Sequence, residues 1–265
     1  MHLTTADGVR LSARVLPGPG AAGGDVCIVL AHGFGVSTSR ASVRAVARGL
    51  ARHATVLAYD ARGHGLSTGV TTLGDLEVLD VDAAVAAARA LGHGRVVTCG
   101  WSMGGAGVVR HAGLRGERVG GHLLGHPPDA VVTVSGTAGW SQRATAAGPL
   151  RRLHAVVETR PGRAWARTVL RTRVATSGWD PLPLSPLDVV GRVAPLPLLV
   201  VHGDRDAYFP LEHPRALAAA AEDPVELWIE PGFGHAETAA SPDLLDRLGR
   251  RAVELAGSAP ARRSA

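Results

Sequence analysis

Short runs of consecutive apolar residues recur along the chain and alternate with longer segments that mix polar and apolar residues. Runs rich in Val, Leu and Ile that end at glycine or a polar residue are typical of strands buried on both faces of a sheet. Such strands are predicted at 26–31, 55–59, 95–99, 130–135, 198–201 and 225–229. Helices are predicted between them, over about 40–52, 74–91 and 103–114. This alternation predicts an α/β fold, with a parallel sheet and helices on both faces.

The alternation is interrupted over residues 137–195, called the insertion below. The insertion contains three of the five tryptophans, and its 148–173 portion is predicted to be partly helical, with a break at Pro161-Gly162. Before the first buried strand, residues 9–15 alternate as an edge strand does. We therefore divide the chain into a core, an insertion and a frayed tail, at 1–136 with 196–256, 137–195, and 257–265 respectively.

The segment Gly100-Trp101-Ser102-Met103-Gly104 follows the predicted strand 95–99 and opens the predicted helix 103–114. A strand that reverses at once into a helix forces the residue at the turn into a strained backbone conformation. Side chains two residues before or after it would then collide with their neighbours, and glycine stands at both positions. The pattern predicts a nucleophile elbow that presents Ser102. The alternative is a glycine-rich turn in which Ser102 only caps the helix.

A serine nucleophile needs a base, and the base needs an acid that orients it. His235 is the best-placed histidine, because it lies in a glycine-rich loop after the strand predicted at 225–229. Asp204 and Asp206 both follow the strand predicted at 198–201, so either is a candidate acid. Loops at the carboxyl ends of parallel strands meet at one edge of the sheet. We therefore expect these loops to approach Ser102.

Five motifs resemble those of the α/β-hydrolases, in particular the lipase, esterase and serine aminopeptidase-like group with a small cap. The segment His32-Gly33-Phe34-Gly35 resembles the family's oxyanion-hole loop, and residues 59–67 resemble its strand-end signature. The Ser102 elbow, the Asp206 segment and the loop that ends at His235 complete the set, in the family's chain order of Ser, Asp and His.

The resemblance covers the chain from about Leu3 to Leu255, except the region near 140–190. It implies a mostly parallel, eight-stranded sheet with helices on both faces. It also implies a small helical cap inserted after the sixth strand, at 137–195. A cap of this kind covers the nucleophile, shapes the acyl pocket and excludes water.

The site residues that the resemblance implies follow its motifs. Ser102 attacks an acyl carbonyl, His235 takes the serine proton, and Asp206 orients the imidazole. The family's spacing favours Asp206 over Asp204 as the acid. The remaining implied residues are the oxyanion-hole donors, which are the backbone N–H groups of Phe34 and Met103, and the substrate contacts, which are Gly33, Trp101 and Trp140.

Other polar residues of the motifs are expected to be structural. Buried histidines usually pack and form hydrogen bonds, so His32 and His64 are expected to hold loops, and Asp60 and Arg62 to shape the strand-end loop. His202 could be a metal ligand with its neighbouring aspartates, but no Cys or His spacing typical of zinc occurs. We expect neither a metal nor a cofactor.

Composition excludes several classes of protein. The chain has 265 residues, of which 46% are hydrophobic, enough for one large domain with a sizeable core. The formal net charge is +5, but the chain contains neither Lys nor Asn, and a GC-rich genome explains that bias. Since no aromatic-plus-basic recognition motif occurs, we expect no nucleic-acid partner.

The sequence also bears on location. The apolar runs are too short and too interrupted to span a membrane, so we expect no stable membrane insertion. The N-terminus lacks a basic segment followed by an apolar one, so no secretory signal is expected. Cys27 and Cys99 lie in predicted core strands and are expected to be reduced, which fits a cytoplasmic location. Nothing in the sequence indicates an oligomeric state.

The motifs favour a serine hydrolase that cleaves a small-molecule acyl ester or thioester through an acyl-enzyme. Two alternatives remain: an acyltransferase or thioesterase acting on a carrier-bound acyl group, and a non-catalytic ligand-binding homologue. Few aromatic residues and a small cap favour short or medium acyl chains. Eight of the insertion's arginines either face an anionic group of the substrate or form a solvated helix face. They are Arg143, Arg151, Arg152, Arg160, Arg163, Arg167, Arg171 and Arg173.

Overall fold

The computed structural model describes residues 1–19, 24–140 and 148–259, and its centre is an eight-stranded sheet. The strands are β1 (His2–Thr4), β2 (Arg10–Leu16), β3 (Val26–Ala31), β4 (Thr55–Tyr59), β5 (Arg95–Trp101), β6 (Ala130–Val134), β7 (Leu198–Gly203) and β8 (Val225–Glu230). Their order across the sheet is β1-β2-β4-β3-β5-β6-β7-β8. The β1-β2 and β2-β4 pairs are antiparallel and the other pairs are parallel. The predicted mostly parallel sheet is confirmed.

Eight α-helices lie in the described ranges. They are α1 (Ala41–Leu50), α2 (Glu77–Ala90), α3 (Met103–Gly113), α4 (Gly148–Glu158), α5 (Arg160–Trp165), α6 (Pro186–Val189), α7 (Glu212–Ala220) and α8 (Pro242–Ser258). A π-helical turn, Ala166–Leu170, continues α5. No helix among the described residues has both the length and the hydropathy needed to cross a membrane.

The strands read as continuous apolar runs because both faces of the sheet are buried. In β3, Ile28 and Leu30 pack with the apolar faces of α1 and α8, while Cys27 and Val29 pack on the opposite face with α2 and α3. Successive side chains of a strand point to opposite faces, so both sets must be apolar. The sheet is thereby fixed between two helical layers, and its carboxyl edge is a rigid platform for loops.

Helix α2 begins three residues later than predicted. The backbone N–H groups of Thr72 and Gly74 each donate to the Glu77 carboxylate at 2.8 Å instead of starting a helix. Gly74 also has a φ of 109°, which is outside the helical region. The buried carboxylate of Glu77 therefore accepts the backbone N–H groups just before α2, and the helix begins only at Glu77.

The insertion lies between β6 and β7 and contributes α4, α5, the π-helical turn and α6. Backbone hydrogen bonds join it to the core, from Arg173 N–H to Gly63 O at 2.8 Å and from Thr71 N–H to Arg173 O at 2.8 Å. Residues 141–147, which include Arg143, and 260–265 lie outside the described residues. Helix α8 continues to Ser258, so the predicted tail starts as helix.

A buried ion-pair network lies beneath the loop that follows β4. Arg62 Nη2 lies 2.8 Å from Asp80 Oδ1 in α2, and Arg62 Nη1 lies 2.8 Å from Asp7 Oδ2 before β2. Arg62 and Asp80 are both almost completely buried. Removing Arg62 would leave the buried Asp80 without its ion-pair partner, which costs about 3–5 kcal/mol. This network fixes the loop that carries His64.

His64 joins that loop to the loop after β3. Its Nε2 accepts the Gly35 N–H at 3.2 Å, and its Nδ1 lies 3.0 Å from the carbonyl oxygen of Arg62. This pairing assigns the proton to Nδ1. Burial lowers the pKa of His64 from 6.5 to about 3, so the imidazole is neutral in the folded protein. The expected structural role of His64 agrees with these hydrogen bonds.

The buried His64 should make stability fall as the pH falls. Below pH 6.5 the unfolded chain binds a proton that the folded protein binds only near pH 3, so the stabilisation is complete above pH 6.5 and lost on acidification. Each pH unit in that window costs up to about 1.4 kcal/mol. Between pH 7 and pH 5, the free energy of unfolding measured with urea should therefore fall by about 2 kcal/mol less in His64→Gln than in wild type.

The matched control is His2→Gln, which removes an exposed imidazole. An identical loss of stability in wild type and His64→Gln would contradict the assignment of a buried neutral imidazole at position 64.

Candidate active site

Ser102 occupies the reversal between β5 and α3, with φ and ψ of 52° and −115°. A Cβ on Gly100 would overlap the carbonyl oxygen of Gly104, and a Cβ on Gly104 would overlap the carbonyl oxygen of Ala31. Both glycines are therefore required by close backbone contacts, as the sequence predicted. The strain at Ser102 is of the kind that proteins retain at functional sites.

Three loops at the carboxyl edge of the sheet bring the predicted triad together. Ser102 Oγ lies 2.9 Å from His235 Nε2, and His235 Nδ1 lies 2.7 Å from Asp206 Oδ2. The serine follows β5, the aspartate follows β7 and the histidine follows β8. A carboxylate accepts only, so the proton of the neutral imidazole is assigned to Nδ1, and Nε2 is left as the acceptor that faces Ser102.

Asp206 is held as a carboxylate by its surroundings. Its side chain is completely buried, and Oδ1 accepts the N–H groups of Tyr208 at 2.8 Å and Phe209 at 3.0 Å. Burial alone would raise the pKa of Asp206, but the hydrogen bonds from His235 and the two backbone groups outweigh it, so the pKa is lowered. Asp206 is therefore charged at neutral pH and lies one hydrogen bond from the ring of His235.

Asp204, the rival acid, does not reach the imidazole. Its Oδ1 accepts the Gly232 N–H at 2.7 Å, and its side chain is exposed. It joins the loop after β7 to the loop that carries His235. The structure thus places Asp206, and not Asp204, next to the candidate base.

His202 lies behind the candidate acid and is the second-to-last residue of β7. It is completely buried, and its Nε2 lies 2.8 Å from Phe209 O and 3.4 Å from Asp206 Oδ2. Burial lowers the pKa of His202 below its ordinary value, so the ring is neutral. Within the described residues, no group of three or more His, Cys, Asp or Glu side chains has an arrangement suited to a metal ion.

The two expected oxyanion-hole donors are available. The N–H of Met103 is at the amino end of α3, and the N–H of Phe34 is in the loop after β3. Neither has a hydrogen-bond partner in the part of the chain that the structure describes. The Met103 N–H, at a helix start next to the candidate nucleophile, is suited to stabilising a negative oxygen, and a second free N–H at Phe34 could act with it.

The backbone of the oxyanion loop is held by buried side chains. His32 Nδ1 lies 2.7 Å from Gly33 O, and His32 Nε2 accepts the Ala61 N–H at 3.0 Å. The Gly33 N–H donates to the carboxylate of Glu237 at 2.7 Å. The sequence singled out His32 as a loop-holding residue but missed Glu237. The available signal was a lone acidic residue among small ones, two positions after His235.

A cavity of about 1140 Å³ opens over Ser102. One wall is a single face of α3, with lining residues spaced three or four apart. The opposite wall comes largely from the insertion. The lining residues include Phe34, Met103, Ala106, Arg110 and Leu114 from the core, and Trp140, Leu150, Leu153, Val157 and Trp179 from the insertion.

Of the three expected substrate contacts, one lines the cavity and two do not. Trp140 lines the cavity. Trp101 does not, because alternation along β5 turns it with Val97 and Cys99 into the core, where it is 0% exposed. That expectation is therefore corrected. Gly33 is also absent from the cavity wall, and its N–H is already bonded to Glu237.

The arginines of the insertion do not form a cluster around the cavity. Of those described, only Arg163 is among the lining residues, and Arg173 is only partly exposed and bonded to the Gly69 carbonyl at 2.9 Å. The others are exposed and agree with the solvated-face interpretation: Arg151, Arg152, Arg160, Arg167 and Arg171.

Arg110 of α3 is buried and lines the cavity, and it was not predicted as a site residue from the sequence. Arg110 Nε donates to Leu184 O at 2.6 Å, Nη1 bonds the carbonyls of Gly74 and Asp75, and the guanidinium lies 5.7 Å from the Trp140 ring centroid. Its donors are thus used to join α3 to the insertion and to the segment before α2.

Comparison with known proteins supports the same fold. A model of the alpha/beta hydrolase family matches residues 28–248. No curated protein sequence matches the chain. The esterase Pf2001 from Pyrococcus furiosus is 22% identical, with a TM-score of 0.70 over 98% of this chain and 90% of the other.

Two further solved structures are similar. Est1E from Butyrivibrio proteoclasticus, determined with ferulic acid bound, is 20% identical, with a TM-score of 0.64 over 97% of this chain and 99% of the other. The esterase domain of a Rhodothermus marinus protein is 20% identical, with a TM-score of 0.61 over 95% and 94%. Because the family model spans most of the chain and the observed sheet agrees with it, the chain belongs to the alpha/beta hydrolase family.

Proposed function

We propose that the protein is a serine hydrolase that cleaves carboxylic esters through an acyl-enzyme. The observation that carries the proposal is the continuous chain from Ser102 Oγ through both ring nitrogens of His235 to the buried carboxylate of Asp206, with distances of 2.9 and 2.7 Å. A serine hydroxyl becomes a nucleophile when an oriented base accepts its proton. The similar solved structures that are esterases support the same reaction class.

In the proposed reaction, Ser102 Oγ attacks the acyl carbonyl while His235 Nε2 takes the hydroxyl proton. The imidazolium that forms is stabilised by the charged Asp206. The tetrahedral oxyanion accepts the N–H groups of Phe34 and Met103, each of which contributes about 2.7–4 kcal/mol of barrier lowering. His235 then gives its proton to the departing alcohol, and a water molecule, deprotonated by the same ring, hydrolyses the acyl-enzyme.

Two aromatic side chains support the orientation of the base. The ring centroids of Tyr208 and His235 lie 4.4 Å apart, and those of Phe209 and His235 lie 5.7 Å apart. Both residues also donate their N–H groups to Asp206. The same short segment therefore positions the acid and limits rotation of the imidazole, which makes a purely ligand-binding role less consistent with the site.

We propose that the insertion, 137–195, acts as a cap over the nucleophile. Phe34 packs in one apolar cluster with Val157 and Leu170 of the insertion, directly beside the oxyanion loop. The cavity beneath it, about 1140 Å³, is larger than a typical drug-sized pocket of about 300–1,000 Å³. We therefore propose an ester with a bulky, largely apolar acyl group as substrate, rather than the shortest of the short or medium acyl chains that the sequence favoured.

Ester hydrolysis by purified variants tests the proposed reaction. With p-nitrophenyl esters, Ser102→Ala should lower kcat/KM by at least about 10⁴-fold, and Asp206→Asn by about 10⁴-fold because the imidazole loses its correct tautomer. Asp204→Asn is the matched control, since it removes a carboxylate two positions away that binds only loop backbone; its kcat/KM should stay within about tenfold of wild type.

Melting temperatures of the three variants show whether each one folds. Hydrolysis retained by folded Ser102→Ala would contradict the nucleophile assignment. A larger loss in Asp204→Asn than in Asp206→Asn would contradict the assignment of the acid.

The proposed substrate size is tested by a series of p-nitrophenyl esters. Each buried methylene contributes about 0.8 kcal/mol, so the octanoate should have a kcat/KM at least about tenfold above that of the acetate. Trp140→Ala should reduce this preference at least about threefold, because Trp140 lines the cavity and its ring centroid lies 4.9 Å from that of Trp179. Trp165→Ala, the control, removes a 47%-exposed tryptophan of the same insertion.

A wild-type enzyme that prefers the acetate would contradict the proposed substrate class. So would an equal change of preference in Trp140→Ala and Trp165→Ala.

A further inference from the structure

A buried carboxylate connects the loop of the candidate base to the loop of the candidate oxyanion hole. Glu237 lies in the short turn Ala236–Thr238, two residues after His235, and is 7% exposed. Its Oε1 accepts the N–H of Gly33 at 2.7 Å, across 204 positions of sequence. A charged acceptor gives a stronger hydrogen bond than a neutral one. The contact therefore joins two loops that must keep a fixed relative position during catalysis.

Gly33 lies directly against the nucleophile. A Cβ placed on Gly33 would be 3.2 Å from Ser102 Cβ and 3.4 Å from Glu237 Oε2. The glycine backbone is thus packed between the Ser102 side chain and the carboxylate of Glu237. A rotation of this backbone would displace the next amide group, the N–H of Phe34.

Both ends of Gly33 are fixed by side chains. The Ala61 N–H donates to His32 Nε2, which assigns the imidazole proton to Nδ1, and Nδ1 donates to Gly33 O at 2.7 Å. That carbonyl belongs to the same peptide group as the Phe34 N–H, on its opposite side. With Glu237 on the Gly33 N–H and His32 on the Gly33 carbonyl, the direction of the Phe34 N–H is set.

We propose that Glu237 is a positioning residue for the oxyanion hole: it holds the Gly33 backbone so that the Phe34 N–H faces the oxyanion. The inference rests on the proposed function, because an oxyanion forms only if Ser102 attacks a carbonyl. Donors that are fixed before the reaction stabilise the transition state without reorganisation. Without an acceptor at position 237, the Gly33 N–H would be buried and unpaired, which favours movement of the loop.

The hydrogen bond, and not the negative charge, carries this role. A carboxylate charge near the oxyanion hole would by itself oppose the negative oxygen of the transition state. A neutral side chain of the same shape that still accepts the Gly33 N–H should therefore support catalysis, whereas one without an acceptor should not.

Two variants of nearly equal size separate these effects. Glu237→Gln keeps an amide oxygen for the Gly33 N–H and removes the charge, whereas Glu237→Met removes the acceptor. For p-nitrophenyl ester hydrolysis, we expect Glu237→Met to lower kcat about 30- to 300-fold with KM changed less than about threefold, and Glu237→Gln to keep kcat within about threefold of wild type. Glu237→Ala replaces the Met variant if that variant does not fold.

Amide hydrogen exchange gives a second readout in the same proteins. Exchange of the peptide that contains Gly33 and Phe34 should become faster in Glu237→Met and stay near wild type in Glu237→Gln. Asp243→Ala, which removes a side chain that is 80% exposed on α8, is the control for loss of a carboxylate.

Several results would overturn the inference. Unchanged kcat in folded Glu237→Met, or equal losses of kcat in the Gln and Met variants, would show that the hydrogen bond to Gly33 does not position the donor. A change confined to KM would assign Glu237 to substrate binding instead. A wild-type protein that hydrolyses none of the esters would overturn the proposed function and this inference together, whereas an active wild type with an equally active Met variant overturns this inference alone.

Discussion

The backbone reversal at Ser102 is the constraint on which the site depends. With φ at 52°, the serine is strained, and the chain accepts that strain because β5 and α3 are fixed on either side of it. The backbone of Gly104 approaches that of Ala31 so closely that no side chain fits between them. The sheet and the first turn of α3 are therefore in direct backbone contact, and the hydroxyl of Ser102 is held above the carboxyl edge of the sheet.

Asp206, His235 and Phe34 all lie in loops, and loops need buried polar contacts to be rigid. Three histidines supply such contacts without carrying the proton-transfer role: His32 and His64 bind the backbone of the loop after β3, and His202 lies behind Asp206. Burial lowers the pKa values of His64 and His202 and keeps both rings neutral. A neutral imidazole donates through one nitrogen and accepts through the other, so His32 and His64 each join the loop after β3 to the loop after β4.

The acid and the base differ from these rings in their surroundings. Asp206 is buried but receives three hydrogen bonds, so its pKa is lowered and its charge persists. That charge is one hydrogen bond away from His235, whose side chain is 18% exposed. The positive charge that develops on His235 during the proposed reaction is therefore stabilised at the place where it forms.

Much of this arrangement could be read from the sequence because it depends on local backbone and strand order. The glycines beside Ser102 predicted the elbow, and the apolar runs predicted the parallel sheet that brings three distant loops to one edge. The directions in which side chains point were predicted less accurately. Trp101 was expected at the substrate although residues 97, 99 and 101 share one face of β5, and that face is core.

Contacts between loops distant in the sequence were the least predictable part. Glu237 and Gly33 are separated by 204 positions, and no local pattern connects them. The same holds for Arg110, whose guanidinium is satisfied by carbonyl groups of the insertion and of the segment before α2. Such pairs depend on tertiary packing, which a single sequence does not encode in any periodicity.

The most direct test of an activated serine is labelling of the folded protein with a fluorophosphonate, followed by peptide mass mapping. We expect one adduct, on Ser102, formed by attack of its Oγ on phosphorus with loss of fluoride. Absence of an adduct in folded protein, or an adduct on another serine, would contradict the claim that His235 and Asp206 activate Ser102.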